Sequence, residues 1–181
     1  PIHSSAASDV YKRQDMNDAW MPGELIPYGD MKISPAAGVL NYGQGLFEGM
    51  KAYRTSKDRV VFFRPEENAR RMQRGADRLK MPPVPESIFV DAVEQCVQAN
   101  LRWLPPMGRG AMYVRPLLMG SGPILGVAPA PSYRFLVYVT PVGPYFKGGV
   151  KAIDLLISDV HHRAAPGLSL IHISEPTRQP C

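Results

Sequence analysis

The sequence lacks the features that define disulfide-rich and metal-binding proteins. It has two cysteines in 181 residues, Cys96 and Cys181, which form neither a disulfide framework nor the spacing of a zinc site. His161 and His162 are adjacent, and because neighbouring residues of an extended segment point to opposite faces, they do not make a metal site by themselves. We therefore predict no metal.

Long apolar runs and strong charge are also missing. No apolar stretch approaches the roughly eighteen residues of a transmembrane helix. The formal net charge of +5 is not gathered into a basic stripe with interleaved aromatic residues. The sequence therefore predicts a soluble intracellular protein that binds neither membranes nor nucleic acid, and it favours a small anionic ligand.

The remaining composition indicates a globular domain with many loops. Apolar residues make up 45% of the chain and charged residues 20%, with nineteen prolines and sixteen glycines. Apolar periodicity changes along the chain between strand and helix patterns, which predicts an α+β fold. We expect strands at residues 59–63, 111–119, 133–140 and 151–158, the third of them central, and helices at 65–81 and 87–104, the second capped by Ser87.

The stretch 41–53 is the most unusual part of the sequence. Three glycines and three aromatic residues occur in thirteen positions, and no ten-residue helix follows them as a dinucleotide-binding fingerprint requires. Two interpretations remain open on spacing alone. The stretch is either a turn between packed segments or the wall of a ligand pocket, where glycine permits close approach and aromatic rings supply apolar surface.

Several short blocks occur in one order along about 150 residues. They are Leu-Asn-Tyr-Gly at 40–43, Leu-Phe-Glu-Gly-Met-Lys-Ala-Tyr at 46–53, Phe-Phe-Arg-Pro at 62–65, Tyr-Val-Arg-Pro at 113–116, Pro-Val-Gly at 141–143 and Arg-Ala-Ala-Pro-Gly at 163–167. In this order they resemble the branched-chain amino acid aminotransferases, which are pyridoxal-phosphate enzymes of fold type IV. The resemblance implies the small N-terminal domain of that fold, followed by only the first strand of the larger cofactor domain.

The resemblance assigns the anion-binding roles to three residues. It implies that Arg71 holds the phosphate of pyridoxal 5'-phosphate, a role that suits the planar donor fork of a guanidinium. Arg74 and Arg78 lie on the same helical stripe and are expected to face solvent. Tyr113 and Arg115 are two residues apart on a predicted strand and share a face. By resemblance, Tyr113 binds the substrate α-carboxylate and Arg115 the distal carboxylate of glutamate.

Three aromatic residues complete the site that the resemblance implies. Tyr42, Phe47 and Tyr145 would form its apolar wall, with Tyr42 reaching into the partner subunit of a homodimer. Core packing is the alternative role for these rings. Glu48 is expected to be structural, because the resemblance places it beside the pocket and the sequence alone gives it no partner.

The family's catalytic lysine, which forms a Schiff base with the cofactor, follows the block at 163–167. Here the family-like sequence stops at Gly167, so we expect that lysine to be absent and the chain itself to be inactive. Lys151 stands in a similar Gly-Gly-Val-Lys context but precedes the block, which argues against a catalytic role. The predicted organisation is a non-native tail at 1–14, the small domain at 15–142, an interdomain loop at 143–150, the start of the large domain at 151–167 and a second non-native tail at 168–181, with both tails poorly ordered.

The implied activity is transfer of the amino group between L-leucine, L-isoleucine or L-valine and 2-oxoglutarate, through pyridoxamine phosphate. Another fold-type-IV enzyme, such as a D-amino acid aminotransferase or an aminodeoxychorismate lyase, remains an alternative. So does a non-catalytic dimerisation or binding module. Cytoplasm, mitochondrion and plastid are all open as compartments.

Overall fold

Antiparallel strands form the frame of the structure. The computed structural model describes residues 8–14, 20–144, 152 and 154, with side chains from residue 20 onward. Its strands are β1 (Ser8–Gln14), β2 (Leu25–Pro27), β3 (Gly45–Phe47), β4 (Met50–Arg54), β5 (Val60–Phe62), β6 (Ala111–Gly120) and β7 (Tyr133–Val142). Its helices are α1 (Gly38–Tyr42), α2 (Pro65–Arg78) and α3 (Glu86–Ala99), followed by a short 3₁₀ turn at Leu101–Trp103.

The seven strands make one sheet with the order β2-β1-β7-β6-β4-β5, and β3 pairs separately with β6. The two longest strands, β6 and β7, lie side by side in the middle, with Ala111 opposite Val142 and Gly120 opposite Tyr133. Every strand pair among the described residues is antiparallel. The mixed α+β fold that the sequence predicts is confirmed.

The core lies between the sheet and the helices α2 and α3. Alternate residues of β6 and β7 face it, as the two-residue period of a strand requires, and Phe89 of α3 stacks on Phe135 of β7 with ring centroids 5.8 Å apart. Met72 and Ala76, one turn apart on α2, are also buried there. The opposite set of β6 residues, which includes Tyr113 and Arg115, is therefore turned away from this core.

The edge of β6 changes partner in its middle. Residues 112–114 pair with β4, and residues 117–119 pair with β3. Between them lies Pro116, which has no N–H to donate to a ladder. The turn Glu48–Gly49 connects β3 to β4 at this break, and the Glu48 amide donates to the Pro116 carbonyl at 2.9 Å. The break thus places Glu48 and Gly49 directly beside the middle of β6.

Gln44 ties the glycine-rich stretch to two distant parts of the chain. Its side-chain amide donates to the Leu79 carbonyl at 3.3 Å, and its side-chain oxygen accepts from the Ala130 amide at 3.0 Å. Gln44 also bonds Tyr133, whose phenol pKa is raised above its usual value because burial disfavours the ionised form. The stretch is therefore a packed junction and not an exposed loop.

Most of the predicted elements are confirmed. The strands expected at 59–63, 111–119 and 133–140 correspond to β5, β6 and β7, and β7 is central because it pairs on both sides. The helix ending before Pro82 corresponds to α2. The strand expected at 151–158 lies outside the described residues.

Two predictions are wrong. The second helix is not capped by Ser87: it begins at Glu86, with Pro85 at the cap position and no side-chain cap bond, because the restricted φ of proline suits a helix start. That helix also ends at Ala99 and not at 104, and a 3₁₀ turn at Leu101–Trp103 follows it. The strand β1 at Ser8–Gln14, which pairs with β2 and β7, was not predicted from the sequence. β1 pairs with the edge of β7 that faces away from β6, where the backbone donors and acceptors of a strand edge can bind any extended segment.

Within the described residues no helix combines the length and the apolar character of a membrane span.

Candidate functional site

An open cleft of about 590 Å³ lies where the first half of α2 meets the edge formed by β4 and β6. Three cationic residues line it, Lys51, Arg64 and Arg71, against one acid, Glu67. Tyr113 of β6 lines the same cleft. Arg64 is paired with Glu67, and Arg71 with the buried Glu48, so the cleft suits an anionic ligand through its hydrogen-bond donors more than through net charge.

Arg71 reaches this cleft from α2 and is held by a buried acid. Its Nε donates to Oε1 of Glu48 at 3.1 Å, and its Nη2 donates to Oε2 at 2.7 Å. The Arg71 side chain is 27% exposed, whereas that of Glu48 is 4% exposed. Arg74 and Arg78 of the same helix are exposed, as predicted from the stripe. Of the three, Arg71 alone lines the cleft.

Glu48 has a second partner, which sequence reasoning did not identify. Asn68 Nδ2 donates to Oε2 of Glu48 at 2.8 Å and to the Gly49 carbonyl at 3.2 Å. Asn68 precedes Arg71 by three positions, so the two share a face of α2. That spacing was the available signal, but only the fold shows that the β3–β4 turn carries the acid that both residues meet.

Tyr113 and Arg115 lie on one face of β6, as predicted. Arg115 Nη2 donates to the Tyr113 hydroxyl at 2.8 Å, and the Arg115 guanidinium lies 3.9 Å from the centroid of the Phe47 ring. The Nε of Arg115 is buried and has no hydrogen-bond partner among the described residues. A buried donor of this kind carries a desolvation cost unless it is satisfied. Arg115 therefore retains a donor that a carboxylate could accept from.

Gly49 determines where the Tyr113 hydroxyl sits. A Cβ at position 49 would come within 2.3 Å of that oxygen, well inside contact distance. The Glu48–Gly49 turn thus places Glu48 against Arg71 and, because Gly49 has no side chain, leaves room for the Tyr113 hydroxyl. Tyr113 thus shares the cleft lining with Arg71 and a hydrogen bond with Arg115.

The structure does not bring all the predicted site residues together. Arg71, Tyr113, Arg115 and Phe47 are linked through the contacts above, although Arg115 and Phe47 are not among the residues lining the cleft. Tyr42 ends α1, is 47% exposed and takes part in none of the ring, ion-pair or hydrogen-bond contacts that join the other four. Tyr145 lies outside the described residues, as does Lys151. In the described part of the chain, no three His, Cys, Asp or Glu residues are placed to hold a metal ion.

Comparison with known proteins gives a consistent result for the sequence. No family model matches the chain. It is 58% identical over 150 residues to branched-chain amino acid aminotransferase 2, chloroplastic, of Humulus lupulus, a match that covers 83% of this chain and 37% of that protein. It is 51% identical over 159 residues to the mitochondrial aminotransferase 1 of the same plant, covering 87% of this chain and 40% of the relative.

Comparison of structures agrees. A T.th. branched-chain amino acid aminotransferase, solved with pyridoxamine 5'-phosphate, matches with a TM-score of 0.61 and 26% identity, over 80% of this chain and 43% of that one. The matched region is the N-terminal portion of such structures. The chain thus spans about two fifths of the length of the relatives it matches. The family is one of aminotransferases that use pyridoxal 5'-phosphate, and this chain is a homologue of the branched-chain amino acid aminotransferases, similar to their N-terminal part.

Proposed function

We propose that this chain supplies the small-domain half of the active site of a pyridoxal-phosphate-dependent branched-chain aminotransferase. The whole protein would exchange the amino group between L-leucine, L-isoleucine or L-valine and 2-oxoglutarate. The observation that carries the proposal is the pairing of two arginines around Tyr113, one at a cleft and one beneath an aromatic ring. Two separate cationic groups suit a site that must hold a phosphate and a carboxylate together.

The residues present fit the cofactor. Arg71 uses two of its nitrogens on Glu48, which leaves Nη1 to donate to a phosphate oxygen at the cleft. A cleft of about 590 Å³ is of the size that small-molecule sites have. The bound cofactor would supply the electron sink that amino-group transfer needs.

Tyr113 and Arg115 would orient the substrate. The Tyr113 hydroxyl would donate to the α-carboxylate while accepting the hydrogen bond from Arg115 that is already present. Arg115, with its buried Nε unsatisfied among the described residues, would bind the distal carboxylate of glutamate. With a branched-chain substrate the Phe47 ring, on which the Arg115 guanidinium stacks, would offer apolar contact. One pocket could in this way accept both an acidic and an aliphatic side chain.

Two further residues belong to the proposal on resemblance. Tyr42 is half exposed, as a residue that reaches into the site of a second subunit would be before association. Tyr145 would extend the apolar wall. The whole protein would accordingly work as a homodimer on amino acids and 2-oxo acids, in a plastid or a mitochondrion like the relatives named for those compartments.

The test is to replace the matched segment of the chloroplastic Humulus lupulus relative by residues 20–144 of this chain and to assay the chimera. We expect transamination of leucine with 2-oxoglutarate. Arg115→Ala should lower kcat/KM for glutamate by about 100-fold, because a buried charge loses its partner, and should change that for leucine far less. Arg74→Ala, at an exposed arginine of α2, is the control. Equal losses for both substrates would contradict the role of Arg115, and a preference for D-amino acids would favour another fold-type-IV enzyme.

A further inference from the structure

Glu48 and Asn68 support the cleft arginine, Glu48 from outside the cleft lining and Asn68 from within it. The Glu48 carboxylate, 4% exposed, accepts both hydrogen bonds from Arg71 and one from Asn68. Asn68 is in turn fixed by its second bond to the Gly49 carbonyl. We propose that Glu48 and Asn68 are positioning residues for anion binding, which hold Arg71 in the one orientation that presents Nη1 to a phosphate. This proposal rests on the proposed function of the cleft.

The geometry favours positioning over attraction by net charge. Glu48 offsets the charge of Arg71 at hydrogen-bond distance, so this pair attracts a distant anion only weakly. Glu48 would therefore act by fixing the direction in which the Arg71 donors point. A guanidinium is planar, and fixing Nε and Nη2 on one carboxylate also fixes where Nη1 points. The long Arg71 side chain is then already ordered in the folded protein, so ligand binding does not bear the entropy cost of ordering it.

The simpler alternative is that Glu48 only compensates a half-buried cation. The two roles predict opposite results when the carboxylate becomes an amide. Glu48→Gln removes the negative charge while keeping the size of the side chain. If Glu48 only compensates charge, the freed Arg71 should bind phosphate more tightly. If Glu48 positions Arg71, binding should weaken even though the site has become more positive.

The test uses the 181-residue chain with pyridoxamine 5'-phosphate, whose amine does not condense with lysines, and with pyridoxamine as the probe without phosphate. Binding is followed by NMR at the arginine Nε–Hε signals, with that of Arg71 assigned from Arg71→Lys. We expect the wild-type chain to bind the phosphorylated probe more tightly than pyridoxamine and to shift the Arg71 signal. Supporting residues behind a binding group account for roughly tenfold or more in affinity at metal sites. We expect Glu48→Gln to lower affinity for the phosphorylated probe by about that factor and to leave pyridoxamine binding unchanged.

A matched control lies on the same helix. Arg70 holds Glu86 with the same pair of nitrogens, Nε at 3.1 Å and Nη2 at 3.3 Å, and neither residue lines the cleft, although Arg70 also donates to Glu67, which does. Glu86→Gln should leave both affinities and the Arg71 signal unchanged. Should Glu48→Gln fail to fold, the Asn68→Ser variant tests the positioning role instead. It keeps the ion pair but releases one side of the carboxylate, and we expect it to weaken binding of the phosphorylated probe by a smaller factor.

The outcomes separate the two claims. Equal or tighter binding by a folded Glu48→Gln chain, with the wild type still preferring the phosphorylated probe, overturns the positioning role and leaves the proposed function intact. No preference for the phosphorylated probe in the wild type overturns the assignment of Arg71 itself. The positioning role then falls with it. Weakened binding in Glu48→Gln with an unchanged control supports both.

Discussion

The outer and inner sides of α2 carry the same ion pair in different surroundings. Arg70 and Arg71 are adjacent, and each donates Nε and Nη2 to one glutamate, although Arg70 also donates Nη1 to Glu67 at 2.7 Å. On the outer side the side chains of Arg70 and Glu86 are 47% and 38% exposed. On the inner side those of Arg71 and Glu48 are 27% and 4% exposed. The same two arginine donors thus make a solvated surface contact in one case and a buried support at a cleft in the other.

The difference shows that burial of the acid decides what the pair does. An exposed pair contributes little because water and salt screen it, and each long side chain must be ordered to form it. A buried carboxylate is costly when it loses its partners, so the inner pair is fixed in one geometry. We expect the two pairs to respond very differently to the same substitution.

The largest expected effect is on stability when each arginine is removed. Arg71→Met leaves the Glu48 carboxylate buried with Asn68 as its remaining side-chain partner, and should lower the free energy of unfolding by about 3 kcal/mol. Arg70→Met should lower it by less than about 1 kcal/mol. Urea denaturation of both variants measures this. Similar losses for the two would show that burial does not separate the pairs.

A second prediction concerns the glycine that follows the buried acid. In Gly49→Ala, the added methyl group would meet the Tyr113 hydroxyl at 2.3 Å, and we expect a loss of about 1 to 3 kcal/mol from overpacking. Tyr113→Phe removes that oxygen and should make the same substitution less costly. Gly29, which has no atom within 4 Å of an added Cβ, provides the control as Gly29→Ala. Additive losses in the double variant would contradict the close approach.

The Asn68 side chain should contribute less to the free energy of unfolding than the Arg71 side chain does. Asn68→Ala removes two hydrogen bonds of a buried group and should cost about 1 to 2 kcal/mol. Gln95→Ala, at an exposed glutamine of α3 that bonds Asp91, should cost less than about 0.5 kcal/mol. Thermal unfolding of both variants tests this. An Asn68→Ala chain as stable as the wild type would show that Glu48 needs no second support.

The smallest expected effect is the response of the outer pair to salt. Glu86→Gln should lower stability by about 0.5 kcal/mol or less at low salt, and the loss should vanish near 1 M salt because screening then acts within about 3 Å. The loss from Glu48→Gln should persist at high salt, since that carboxylate is buried. Denaturation at two salt concentrations distinguishes the pairs. If the stability loss from Glu48→Gln also vanished at high salt, Glu48 would be screened by solvent like an exposed residue.

The sequence predicted most of the elements and the faces on which several candidate residues lie, but not the contacts between them. The two-residue period of a strand was enough to predict that Tyr113 and Arg115 share one face of β6. The helical spacing of the arginines was enough to predict that Arg74 is exposed. The partner of Glu48 could not be predicted in this way, because it depends on a turn between β3 and β4 that meets α2 some twenty residues later in the chain. Nor could Arg70 and Arg71 be distinguished by local pattern: only the resemblance separated them. The strand at Ser8–Gln14 was missed because pairing to an open sheet edge needs little from the sequence.

A crystal structure of this chain with pyridoxamine 5'-phosphate would show which atoms hold the phosphate. We expect a phosphate oxygen within hydrogen-bond distance of Arg71 Nη1, with Nε and Nη2 still on Glu48 and with Tyr113 beside the ligand. A phosphate bound elsewhere on the chain, or an Arg71 that leaves Glu48 to reach the ligand, would contradict it.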